Sequence, residues 1–130
     1  MRIGKIAAVY SFIVGIAMIG MWTVFVLTGQ VPELNTEPIR VSMHILGEIA
    51  TALALLIGGY GMWTDKKWGL QAYMLSMGML LYTLIVSPGY YAQSGSIAMV
   101  GMFAAFFVIA LVFTALSFFR TGEYLPEVRK

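Results

Sequence analysis

The stretch VSMHILGEIATALALLIGGYGMW, residues 41–63, decides how this chain folds. It runs for 23 residues and holds one ionisable acid, Glu48, and one histidine, His44. At 1.5 Å per residue, such a helix covers about 30 Å, the thickness of a bilayer's hydrocarbon core. A strand would need only about 10 residues per crossing and would alternate polar with apolar positions, which this stretch does not do.

Three further stretches read the same way: Ile6 to Leu27, Trp68 to Ser87 and Ile97 to Phe119. The expected fold class is therefore all-α, a four-transmembrane-helix antiparallel bundle. It forms one integral membrane domain over 1–130, with spans at 6–27, 41–63, 68–87 and 97–119. Composition agrees. Hydrophobic residues make up 60% of the chain and charged residues 11%, against about 25% charged in a soluble domain. The surface has too few polar groups to face water throughout, so its main solvent and first partner is the lipid bilayer. The Met1-Arg-Ile-Gly-Lys5 start resembles a signal peptide, but the apolar run after it is too long and no small-residue cleavage site follows, so it reads as a permanent span.

The linkers carry helix punctuation. In Thr28 to Arg40, Thr36 or Glu37 can cap the second span, and Pro38 suits its first turn. Thr64-Asp-Lys-Lys67 is short enough to force a helical hairpin, with Asp65 expected to cap the third span. Pro88-Gly89 is expected to stop the third span. Arg2, Lys5, Lys66, Lys67, Arg120, Arg129 and Lys130 fall on one side of the membrane and Arg40 alone on the other. The positive-inside rule then places both termini in the cytoplasm (N-in/C-in). Trp63 and Trp68 at the inner loop, and Tyr90 and Tyr91 at the outer end, read as interfacial anchors. Small residues recur every four positions at Ala7, Ser11 and Gly15, at Ala54 and Gly58, and at Gly101 and Ala105. Such rows let helices pack closely within the bundle. Gly-Met-Trp-Thr occurs at 20–23 and 61–64 at different depths and marks no repeat.

Several function classes are excluded. A net charge of +2 supplies no basic patch, so nucleic acid is not a partner. The absence of cysteine excludes thiol nucleophiles, thiolate metal sites and covalent haem attachment. One histidine per chain cannot supply two axial haem imidazoles unless two chains meet. Ten methionines invite a Cu(I) reading around Met43, His44, Met99 and Met102, but Met also fills irregular apolar gaps, and no cofactor or metal is expected. No P-loop, H-E-x-x-H or G-x-S-x-G motif is present.

The candidate chemistry lies on the second span. Arg40, His44 and Glu48 recur every four residues, so they share one helix face and descend from the outer interface into the membrane. Glu48 sits roughly 10 Å below Val41. An ionised side chain at that depth is expensive and functional by default; it could bind a cation or relay a proton through His44. The structural alternative has Arg40 at the headgroups, with His44 and Glu48 hydrogen-bonding a neighbouring helix. At matching depth lie Trp22, Thr23, Tyr82, Thr83 and Ser87, with Met99 and Met102 on the last span. The binding candidates are Glu48, His44, Arg40, Tyr82, Thr83 and Trp22, around a pocket opening outward. The inner half, Gln71 and Thr114 aside, reads as apolar scaffold.

The run Gly78-Met-Leu-Leu-Tyr82-Thr-Leu-Ile-Val-Ser-Pro-Gly-Tyr-Tyr-Ala-Gln93, together with His44-Ile-Leu-Gly-Glu48, resembles a family of small uncharacterised four-helix membrane proteins of prokaryotes. The resemblance implies a fold and a multi-pass place in the prokaryotic cytoplasmic membrane, but no activity. In size the chain is also similar to small multidrug transporters. Those carry their membrane Glu in the first span, where this chain has no acid. The leading expectation is a non-enzymatic bundle that binds a small ligand or a proton, or a subunit of a larger assembly, with a homo-oligomer or a membrane-complex partner. The alternatives are a proton-coupled small-molecule transporter using Glu48 and a membrane enzyme using Glu48 and His44 as an acid–base pair.

Overall fold

A computed structural model describes residues 2–125; Arg129 and Lys130, counted above for orientation, lie outside them. The described chain is helical: α1 (Ile3–Leu27), α2 (Glu33–Thr36), α3 (Pro38–Trp63), α4 (Gly69–Val86), α5 (Pro88–Gln93), α6 (Ile97–Phe119) and a 3-10 turn (Thr121–Glu123). Four helices are long and apolar enough to cross a membrane: α1, α3, α4 continued through α5, and α6. The all-α, four-helix expectation holds. The first three spans are longer than the apolar runs alone, the fourth matches its run at Ile97–Phe119, and two short helices occupy linkers.

Two local expectations are corrected. Pro88-Gly89 does not stop the third span. Proline lacks only its own N–H and fits the first turn of a helix, so α5 begins at Pro88 and prolongs α4 with a single non-helical residue, Ser87, between them. Ser87 N–H still bonds Thr83 C=O at 2.8 Å. The helix stops instead at Gly95, whose φ of +80° suits the left-handed C-terminal position. Asp65 does not cap α4, which has no side-chain cap. It closes α3 in the left-handed region at φ 57°, which Asp tolerates better than most residues. Lys66 N–H bonds Gly61 C=O at 2.9 Å and Asp65 N–H bonds Met62 C=O at 3.4 Å, the paired bonds of a Schellman ending. At the start of α3, Glu37 is the N-cap residue and Pro38 opens the first turn, with no side-chain cap bond.

The helices pack in sequence: α1 on α3, α3 on α4, α4 on α6. Small residues set the first two contacts. A Cβ added at Gly15 would lie 3.0 Å from Ala52 O, and one at Gly58 2.8 Å from Tyr73 Cα. The Ala7–Ser11–Gly15 row is wholly buried. Gly101 and Ala105 face outward instead, and a side chain at Gly101 would meet nothing. That row does not serve packing within the chain. α6 is the least buried long helix and reaches α1 through Tyr10, whose hydroxyl donates to Phe106 C=O at 2.8 Å and whose ring lies 5.4 Å from Phe113.

The end bearing Arg2 and Lys5 is closed. Tyr124, 1% exposed, folds back beneath Gly4, donates to Phe113 C=O at 2.7 Å and meets the Tyr73 ring at 5.8 Å. Arg2 bonds both Leu125 C=O and Asp65, and Lys5 bonds Trp63 C=O. This half also buries Ser11, Tyr73, Ser76 and Ser117, so the expectation of an apolar scaffold there is corrected. Ser76 and Ser117 satisfy themselves on carbonyls three residues back. Ser11 Oγ and Tyr73 OH have no hydrogen-bond partner among the described residues.

Candidate functional site

Glu48 occupies the face of α3 that turns toward the other helices, and only 7% of it is exposed. The chain holds it there because Thr51, Ala52, Leu55 and Gly58 continue the same face toward α1 and α4. Burying that stripe carries the carboxyl inward with it. Ser87, at the junction of α4 and α5, donates to Glu48 Oε1 at 3.3 Å. The Trp22 indole N–H of α1 donates to the same carboxyl, and His44, one turn along α3, lies within electrostatic reach of it. The Trp22 indole packs edge-on to the His44 ring at 5.8 Å. Bonds from Ser87 and Trp22 leave about half of the carboxylate's accepting capacity open.

The six sequence-selected residues divide between two adjoining cavities. Trp22, Arg40, His44 and Glu48 line a partly enclosed vestibule of about 360 Å3 at the end opposite the Arg2–Lys5 clasp. Tyr82 and Thr83 line a shallower lateral groove of about 840 Å3 between α3 and α4. His44 and Glu48 line both. They are the shared wall.

The members differ in what they can do. Arg40 is mostly exposed and pairs with Glu37 one turn back, so it stands at the mouth and not in contact with Glu48. Thr83 is buried, but its hydroxyl donates to Leu80 C=O at 2.9 Å. Thr23, placed at the right depth by sequence, is exposed and bonds its own helix at Ile19. Tyr82 is 68% exposed on the open side of the groove. Met43 shares the groove with His44, whereas Met99 and Met102 line neither cavity. Among the described residues, no group of three or more His, Asp or Glu side chains could hold a metal.

Sequence reasoning missed the aromatic wall. Phe25, Tyr90, Tyr91 and Phe103 line the vestibule. The Tyr91 ring stacks on Phe103 at 5.7 Å and meets Tyr90 edge-on at 5.3 Å. Position alone predicts only interfacial anchors at Tyr90 and Tyr91. The continuation of α4 as α5 brings them over the pocket. The signal was available: Tyr91 lies four residues beyond Ser87, hence on the same helix face.

In comparisons with known proteins, no curated protein and no solved structure matches the chain. One family model does, over residues 1–127, so the chain belongs to the family described as Domain of unknown function (DUF8058).

Proposed function

From membership of a family that carries no assigned activity, we propose a function on geometry: this chain is an integral membrane protein that binds a small ligand in the vestibule around Glu48. It sits in a prokaryotic cytoplasmic membrane with both termini inside, so the vestibule opens away from the cytoplasm. The observation that carries the reading is a carboxyl 7% exposed that lines a 360 Å3 pocket and is met only by the Ser87 hydroxyl at 3.3 Å and the Trp22 indole among the described residues. A carboxyl kept for packing alone would have its acceptors filled, because an unmet polar group in an apolar interior is costly.

A second reading rests on the shared wall. Because Glu48 borders both the vestibule and the lateral groove, it is reachable from two directions. That is what a protonation switch in a proton-coupled transporter needs.

The test is chemical access. A hydrophobic carbodiimide adds covalently to carboxyls in apolar pockets. Intact-mass and peptide analysis of the wild-type protein in nanodiscs should place one adduct on Glu48, and the Glu48→Gln variant should lose it while still folding. A Glu48 that stays unmodified while the bundle is folded overturns the binding reading. For the transport reading, a pH gradient should drive proton flux in proteoliposomes of wild type; flux that persists in Glu48→Gln removes it.

A further inference from the structure

Five aromatic rings share the vestibule with Glu48. Trp22, Phe25, Tyr90, Tyr91 and Phe103 line it. A ring face attracts a cation through its quadrupole, and rings gathered around one point make the usual cage for an organic ammonium group. Two acidic side chains, Glu48 and Glu33, and one guanidinium, Arg40, line the pocket. Arg40 is already paired with Glu37. The acidic side chains left without a basic partner on the pocket thus favour a positive guest.

The vestibule also continues sideways. The groove beyond His44 and Glu48 follows α4 from Val86 to Met74, roughly 18 Å at the helical rise. Apart from Glu48, His44, Thr51, Thr83 and the Tyr82 hydroxyl, the side chains lining it are apolar. Its depth comes from two missing side chains. Gly47 on α3 and Gly78 on α4 both line it, and a Cβ added at either would meet no atom within 4 Å. Exposed Met43 and Leu75 mark its open side, which in a bilayer faces the acyl chains.

We propose that the ligand is an amphiphilic organic cation. Its charged head rests against Glu48 among the vestibule rings, and its apolar tail lies in the α3–α4 groove, giving it a lateral route from the lipid. The inference rests on the reading of Glu48 as a binding carboxyl, and adds to it the ligand's charge, its tail and its path.

Protection of Glu48 from the carbodiimide tests it, with the full chain in phosphatidylcholine nanodiscs. Dodecyltrimethylammonium should protect at a concentration at least about tenfold below that of tetramethylammonium, which has the head but no tail. Dodecanol, a tail without the charge, should not protect. Gly78→Leu and Gly47→Leu, placed in open space, should still fold and still be labelled. Each should raise the half-protecting concentration of the amphiphile by about tenfold and leave that of tetramethylammonium unchanged. Labelling of Glu48 that no cation slows, protection by dodecanol equal to that by the cation, or glycine variants with unaltered amphiphile protection each overturns the inference while the binding carboxyl stands. If Glu48 is never labelled, the underlying reading falls first.

Discussion

Asp65 shows how much a single residue's role depends on where the chain returns. In sequence it precedes a helix and looks like a cap. In the fold it meets Arg2 and Lys5 of α1. Burial opposes its ionisation, but the hydrogen bond and charge from Arg2, with Lys5 behind, outweigh that and hold the carboxyl below the usual aspartate range. A depressed pKa means the folded state binds this proton less tightly than the unfolded one. The stabilisation is therefore present above the ordinary value of about 3.9 and is lost as pH falls through the lower folded value. Thermal melts in detergent should show wild type losing stability below about pH 4, with Asp65→Asn less stable at pH 7 and flatter in that acid range. The side chain is 38% exposed, so the difference should stay within about 1 kcal/mol. An Asp65→Asn protein with an unchanged acid limb would refute the assignment. Glu48 is the opposite case. Its identity as the lone acid within a span was plain from sequence, but the rings around it were not.

At the scale of elements, helix existence was legible because it depends on apolar length, a local property. Helix endings were less so. Pro88-Gly89 reads as a stop, yet α5 starts there, because a proline blocks a helix only through the bond and the space behind it. Small-residue rows also divide by context. Gly58 lies against the Tyr73 backbone, whereas Gly101 has open space. Gly58→Ala must push α3 from α4 and should cost about 1–3 kcal/mol. Gly101→Ala should be neutral or slightly stabilising, since it only removes backbone freedom. Urea or thermal unfolding in mixed micelles compares the two, and equal stability of both variants would deny the close α3–α4 contact. Nothing in the two sequence rows alone distinguishes them, since both read as a small residue every four positions.

For the whole molecule, the proposed orientation makes a direct prediction. The natural chain lacks cysteine, so one introduced thiol is an unambiguous reporter. Ser94→Cys, beside the vestibule end, should react with a membrane-impermeant maleimide in intact cells. Lys67→Cys, in the loop at the Arg2–Lys5 end, should react only after lysis. The reverse pattern would turn the vestibule toward the cytoplasm.

Apolar length and spacing were enough to set the class of fold, the number of long helices and the helix face that carries Arg40, His44 and Glu48. All three follow from periodicity and apolar length, which need no knowledge of neighbours. Packing of the folded chain settles that Glu48 is shared by two cavities, that Arg40 turns away to Glu37, and that Tyr90, Tyr91 and Phe103 line the pocket. It also settles that Tyr124 returns to seal the far end. These depend on how helices rotate about their axes and which residues distant in sequence they bring together. Among uniformly apolar helices, packing shape sets those rotations more than polarity does.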